Sequence, residues 1–214
     1  MEIKENEVYN CDCLELMREM VKKGIVVDWL LTDPPYGISV NHNMGRRKGD
    51  KKSDYKKAYW DNERLPKEYF DLMFKVSKNQ IIWGGNYYTD YLTTTPCWII
   101  WDKMFSDEVS FAQVEMAWTN QTCSAKKVVC FPNGGDEQRI HPTQKPLKVI
   151  EFCLNKFTKE GDLIFDPFMG SFTTAVACHK MGRKYIGCEL DKEYFDKGQE
   201  RLRQVKAQIS IFQI

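Results

Sequence analysis

No Cys-x-x-Cys pair occurs among the eight cysteines (Cys11, Cys13, Cys97, Cys123, Cys130, Cys153, Cys178 and Cys188), and the three histidines (His42, His141, His179) are equally scattered. Such spacing does not build a zinc site, so no metal is expected, and the cysteines read as small apolar residues of a reducing compartment. No stretch approaches the roughly eighteen uninterrupted apolar residues of a membrane span. The first residues, Met1 to Asn6, carry no hydrophobic signal core. The expectation is a soluble, cytoplasmic chain without membrane contact. Charge of one sign is also missing, since the net charge over 214 residues is +1. Any anion-binding surface must therefore be local. One stretch supplies it: Arg46 to Lys57 holds seven Lys or Arg against Asp50 and Asp54.

The length suits one large α/β domain over 1–214. Val8-Tyr9 reads as a short strand, followed by a polar turn at Asn10 to Asp12 and a helix with Leu14, Met17 and Val21 on one stripe. Ile25 to Leu31 has the β-branched and aromatic character of a buried strand. Residues 41–63 show little apolar periodicity and read as a long basic loop. Pro66 opens a helix through Lys78, then come a strand at Ile81-Ile82-Trp83, a short helix near Tyr87 to Leu92 and a buried strand at Cys97 to Trp101. From Asp102 to Arg139 the pattern changes to short extended runs, Val114 to Trp118 and Lys127 to Phe131, expected as antiparallel strands and loops. Pro146 to Phe157, Ser171 to Met181 and the stretch capped by Asp191 read as helices, alternating with strands at Leu163 to Asp166 and Lys184 to Glu189. Alternation of this kind predicts a mostly parallel, twisted sheet with helices on both faces.

Two stretches carry chemistry. In Asp33-Pro34-Pro35-Tyr36-Gly37, two prolines fix the backbone and stop the strand. The Asp33 carboxylate and a backbone carbonyl become adjacent acceptors beside the flat Tyr36 ring, and a planar NH2 group fits there. In Asp166-Pro167-Phe168-Met169-Gly170-Ser171-Phe172-Thr173-Thr174, small residues between a strand and a helix let a ligand approach the backbone. Glu189 ends the next strand nineteen residues after Gly170, where an acid takes ribose hydroxyls in nucleotide-binding α/β folds. The turn lacks Gly-x-Gly-x-x-Gly and Gly-Lys-Ser/Thr, which disfavours nicotinamide cofactors and ATP and leaves a nucleoside without phosphates.

Together with His141-Pro142-Thr143-Gln144-Lys145-Pro146, these residues resemble the S-adenosylmethionine-dependent DNA amino-methyltransferases of the β class, in which Asp-Pro-Pro-Tyr precedes the cofactor loop. The resemblance spans 7–16, 27–37, 81–86 and nearly everything from 139 to 202. It implies a Rossmann-like methyltransferase fold and S-adenosylmethionine as cofactor. By position it sets Asp12 and Cys13 at the cofactor adenine, Glu189 at the ribose, and Asp166, Phe168, Gly170, Ser171 and Thr173 around the methionine and adenosine. His141, Thr143 and Lys145 fall near the methionine carboxylate, with Asp33 bordering cofactor and target alike. Phe172 departs from the Gly usual in the family; it either narrows the cleft or turns into the core, and the face continued by Ala175, Val176 and His179 at helical spacing favours the core.

The implied catalytic group is Asp33, Pro34, Pro35 and Tyr36, acting on an exocyclic amine of a base extruded from double-stranded DNA. Asp33 and the Pro34 carbonyl would each accept one N–H, and Tyr36 would stack on the base. Arg46, Arg47, Lys48, Lys51 and Lys52 would contact phosphates, with Asn86 a further candidate near the flipped base. The segment 102–138 stands where the family often has a target-recognition lobe, and is short here. Asp-Pro-Pro-Tyr leans toward adenine N6, and cytosine N4 offers the same two N–H groups. A catalytically silent DNA-binding module, with Phe172 closing the cofactor cleft, is the reading from a different class. Double-stranded DNA is the implied partner; a homodimer and a cognate restriction endonuclease are further partners that the resemblance allows.

Overall fold

The structure is a computed structural model and describes residues 1–38, 63–106, 112–132 and 139–212, with side chains as far as 208. Its elements in chain order are β1 (Glu7–Tyr9), α1 (Cys13–Lys22), β2 (Val27–Thr32), α2 (Lys67–Lys75), β3 (Ser77–Trp83), β4 (Trp98–Asp102), β5 (Val114–Thr119), β6 (Lys126–Val129), α3 (Leu147–Phe157), β7 (Leu163–Asp166), α4 (Thr173–Lys180), β8 (Lys184–Cys188) and α5 (Lys192–Phe212). Asp12 caps α1 by accepting the Leu14 N–H at 2.8 Å. The buried stripe of α1 is Cys13, Leu16, Met17 and Met20. Val21, expected on that stripe, is exposed, because the helix is rotated toward the 13–16–20 face. β3 begins earlier than its apolar residues suggest: Ser77 Oγ donates to the Met73 carbonyl at 2.6 Å and Gln80 Nε2 to the Ser77 carbonyl at 3.0 Å, so polar residues are satisfied inside the strand.

The helix expected near Tyr87 to Leu92 is instead a single 3-10 turn, Gly85–Tyr87, followed by further turns. Gly84 enters it at φ +67°, a left-handed conformation that a glycine adopts freely. A Cβ on Gly84 would lie 1.9 Å from Tyr36 Cε1, so the absence of a side chain there gives the Tyr36 ring its room.

The strands form one sheet in the order β1-β8-β7-β2-β3-β5-β4-β6. β1, β8, β7, β2 and β3 are mutually parallel, β5 runs antiparallel to β3 and β4, and β6 is parallel to β4. The expectation of antiparallel strands over 102–139 thus holds for β5 and fails for β6, which pairs Ile99↔Lys126 through Asp102↔Val129 in parallel. These strands do not form a separate insert. β5 lies between β3 and β4, with Ala117 and Trp118 buried.

Alternation along the strands divides the core in two. Trp29, Leu31, Ile81, Trp83 and Ile164 face α3, α4 and α5; Leu30, Ile82 and Phe165 face α1 and α2. The result is a three-layer helix–sheet–helix sandwich. At the carboxyl ends of the five parallel strands lie the turns that begin at Asn10, Glu189, Pro167, Asp33 and Gly84. Because β5 is reversed, its first residues reach the same edge, in the register Trp101↔Glu115 and Asp102↔Val114.

Candidate active site

A cleft of about 470 Å³ opens at that edge. Its walls come from Cys11 to Cys13 after β1, Leu31 to Asp33 and Pro35 after β2, Asp166 to Ser171 after β7, and Glu189 to Asp191 after β8. His141, Thr143, Gln144 and Lys145 close it from the segment before α3. Ligands of open α/β sheets bind at this kind of position, outside the carboxyl ends of the strands.

Two carboxylates organise the loops around the cleft. Asp166 accepts from Thr32 Oγ1 at 2.8 Å, Thr174 Oγ1 at 2.7 Å and the Phe168 N–H at 3.1 Å, which ties β2, α4 and the Gly170 loop to one buried group. Burial pushes its carboxyl up to about 6, against the pull of those donors. Glu189 Oε2 accepts the Gly170 N–H at 2.8 Å and Oε1 accepts the Asp191 N–H at 2.9 Å. Both loops flanking the cleft are thus pinned to Glu189, and burial raises its carboxyl as well. His141 stands on the other side, its Nδ1 accepting the Thr143 N–H at 3.3 Å and its ring packed edge-on against Tyr194. Phe168 faces Tyr69 with ring centroids 6.4 Å apart, giving the cleft an aromatic flank.

Phe172 does not line the cleft. It holds φ +61° at the amino-terminal cap of α4, and its fully buried ring meets Phe195 edge-on at 5.8 Å. The ring also occupies the space over α5 where a Cβ on Gly198 would fall, 2.3 Å from Phe172 Cδ1. Glycine suits such a left-handed position. Here the strain of a side chain is offset by core burial.

The arrangement at Asp33 is richer than two bare acceptors. Lys145 Nζ lies 2.5 Å from Asp33 Oδ2 and 3.0 Å from Glu115 Oε2, and Lys103 Nζ lies 2.5 Å from Glu115 Oε1. The Tyr36 hydroxyl donates to Asp33 Oδ1, and the Tyr88 hydroxyl donates to the Pro35 carbonyl. Burial pushes the Asp33 carboxyl above its ordinary range, with the Lys145 ammonium pulling it back. Burial works against the Glu115 carboxylate too, yet Lys145 and Lys103 outweigh it and hold the group down at about 2. The Lys145 ammonium therefore sits on Asp33 and Glu115 while lining the cleft whose far side the resemblance gives to a methionine carboxylate. Glu115 and Lys103 were not legible as site residues. The one available signal is an acid in the second position of an otherwise uncharged strand.

The Tyr36 ring is stacked on Tyr87, with centroids 4.9 Å apart and planes at 19°, and lies beside the cleft without lining it. Asn86 is exposed in the 3-10 turn and does not line the cleft either. Arg46, Arg47, Lys48, Lys51 and Lys52 lie outside the described residues, as does part of the segment 102–138. Among the described residues no helix is long and apolar enough to cross a membrane.

A family model for DNA methylases of the N6/N4 type matches residues 93–200, which takes in Lys145, the Asp166 loop and Glu189. YubD of Escherichia coli (strain K12), named a putative methylase, is 28% identical over 210 residues, or 91% of this chain and 89% of that protein. YhdJ of the same strain, a DNA adenine methyltransferase, is 43% identical over 67 residues, or 31% of this chain and 23% of that protein. Two solved structures share the fold. M1.HpyAVI in its SAM complex superposes with a TM-score of 0.64 at 22% identity, covering 92% of this chain and 98% of that one. The cytosine-N4-specific PvuII DNA methyltransferase superposes with a TM-score of 0.61 at 15% identity, covering 95% and 92%. With the family model matched from β4 into α5, the chain belongs to the S-adenosylmethionine-dependent N6/N4 DNA methylases.

Proposed function

We propose that this methylase transfers a methyl group to N6 of an adenine flipped out of double-stranded DNA. The observation that carries the reading is Asp33, held at the end of β2 on the rim of the cleft that Asp12, the Gly170 loop and Glu189 enclose. The residues of that cleft fit S-adenosylmethionine. The Phe168–Tyr69 pair offers an apolar flank for a purine, and the Asp12 and Glu189 carboxylates offer acceptors for the adenine amino group and the ribose hydroxyls. When bound, S-adenosylmethionine supplies an electrophilic methyl group on a sulfonium.

The chain's own residues then have to make a poor nucleophile reactive. An exocyclic amine delocalises its lone pair into the ring. Asp33 accepts one of its N–H bonds through a lone pair left over from Tyr36 and Lys145, and the Pro34 carbonyl accepts the other. Both draw the nitrogen toward tetrahedral geometry, and the carboxylate stabilises the positive charge as it develops. Pro34 and Pro35 keep these acceptors rigid. A base entering beside Asp33 meets the stacked Tyr36–Tyr87 pair, and stacking of this kind contributes on the order of 1–3 kcal/mol. His141, Thr143, Ser171 and Thr173 shape the methionine end of the cleft. Arg46, Arg47, Lys48, Lys51 and Lys52 hold phosphates, and Asn86 reaches the DNA from its exposed turn.

Adenine is favoured by Asp-Pro-Pro-Tyr and by the likeness to the adenine methyltransferase YhdJ. Cytosine N4 is the second reading, because the PvuII enzyme uses the same fold for that amine. Digesting treated DNA to nucleosides distinguishes them: N6-methyladenine is expected, and N4-methylcytosine alone would overturn the adenine assignment. Asp33→Ala is expected to lower transfer by at least about 10²–10³-fold while cofactor binding by calorimetry persists. Retained turnover in that variant defeats the mechanism. No heat with wild-type protein at millimolar S-adenosylmethionine defeats the enzyme reading in favour of a silent DNA-binding module.

A further inference from the structure

We propose that Lys145 is a positioning residue for methyl transfer, which keeps the Asp33 carboxylate anionic and aimed at the target amine, with Glu115 and Lys103 holding Lys145 in place. The inference rests on the reading that Asp33 accepts that amine. Its basis is a chain of alternating charge running from the end of β4 to the end of β2. Lys103 meets Glu115 at 2.5 Å, Glu115 meets Lys145 at 3.0 Å, and Lys145 meets Asp33 at 2.5 Å. The Lys145 side chain is only 7% exposed. Its third N–H points to the Tyr36 hydroxyl at 3.4 Å, and its ammonium lies 5.1 Å from the centroid of the Trp83 ring. A lysine has three N–H donors. Asp33 and Glu115 take two at close range, and Tyr36 stands at the third at 3.4 Å.

The need for this device follows from the site. A carboxylate buried beside a nucleoside and a base is expensive to keep charged, and without a counter-ion it takes up a proton. A protonated Asp33 has less acceptor capacity and cannot stabilise positive charge on nitrogen. Lys145 answers that cost, but alone it would be a second buried charge. Glu115 compensates it and Lys103 compensates Glu115, so the set is neutral. Among the described residues, the groups facing Asp33 are Lys145, Tyr36, Glu115 and, from β7, Asp166. Those facing Lys145 are Asp33, Glu115, Tyr36 and Cys153 of α3, whose thiol burial keeps protonated at neutral pH.

Two variants move Asp33 in opposite directions. Lys145→Met removes the cation, so the acid limb of the kcat/KM profile moves to higher pH. Glu115→Gln removes a competing anion while leaving Lys145 charged, so the limb moves to lower pH. Each shift is expected to be about one pH unit, equivalent to a roughly tenfold change in rate on the limb. Lys145→Arg restores the wild-type limb. Affinity for S-adenosylmethionine by calorimetry is expected to stay within about threefold in all three variants, less than the 1.4 kcal/mol that a tenfold change represents. Carbon-13 titration of aspartate carboxyls, with Asp33 assigned by Asp33→Asn, reads the same ionisation without turnover. It keeps this inference testable in either variant and separable from a failure of the methylation assay. An Asp33 titration unmoved by both variants overturns the proposal. So does a tenfold loss of cofactor affinity in Lys145→Met with the limb in place, which would return Lys145 to the methionine carboxylate.

Discussion

At the scale of single residues, Asp166 ties stability to pH. Its folded carboxyl is raised to about 6 from an ordinary 3.8, so the folded chain binds the proton more tightly than the unfolded one. The stabilisation is fully present below about pH 4 and is lost as pH rises through about 6. Asp166→Asn removes that dependence. Between pH 4 and 6 the wild type is expected to lose on the order of 1–3 kcal/mol relative to this variant, read as diverging denaturant midpoints. If the two curves run parallel, Asp166 is not the buried acid described here. The gathering of Asp33, Asp166, Gly170 and Glu189 around one cleft was legible because each ends a strand or sits in a turn with a recognisable motif. Glu115 and Lys103 were not, since Glu115 approaches Asp33 through the pairing of β5 with β3 and Lys103 approaches Glu115 through the pairing of β5 with β4, and charge pairing across that distance leaves no local pattern in the chain.

At the scale of elements, α4 and α5 are fitted to each other through Phe172 and Gly198. A β-carbon on Gly198 falls 2.3 Å from the Phe172 ring, and that ring is fully buried with Phe195 against it. Gly198→Ala adds up to about 1 kcal/mol of helix propensity but costs roughly 1–3 kcal/mol in overpacking, so the net change is a lower Tm. Pairing it with Phe172→Ala is expected to relieve the clash, giving a coupling of at least about 0.5 kcal/mol in a double-mutant cycle. Additive effects would show that the two side chains do not share that space. Most elements were legible from periodicity alone, including both strands of the Asp33 and Asp166 motifs. The direction of β6 was not. An apolar-polar alternation carries a period of two residues but no sense of direction, and β6 pairs in parallel with β4 because β5 has already reversed the chain between them. The missing helix after Gly85 has a similar origin: Tyr88 is drawn into the core against Phe70, with its hydroxyl on the Pro35 carbonyl, and these contacts override local helical spacing.

At the scale of the whole molecule, the long connections, 33–66, 84–97, 103–113 and 130–146, leave the sheet at the edge that carries the cleft. The opposite edge is closed by 23–26, 120–125, 158–162 and 181–183. With a net charge of +1, the proposed DNA binding calls for basic groups that are clustered, and 46–57 is the basic cluster of the sequence. Replacing Arg46, Arg47, Lys48, Lys51 and Lys52 by Gln is expected to flatten the dependence of log K on log salt by as much as about 4.5, at roughly 0.9 for each phosphate no longer neutralised. An unchanged slope would move the phosphate-binding groups elsewhere, with 103–113 and 130–138 the next segments to test. The division between the two edges also has a practical side. A fluorophore, an affinity handle or a fused domain attached within 120–125 or at the exposed Lys159 stands on the far side of the sheet from Asp33. The methylase can therefore be tethered to a surface or to a programmable DNA-binding partner from behind, with its cleft left facing outward.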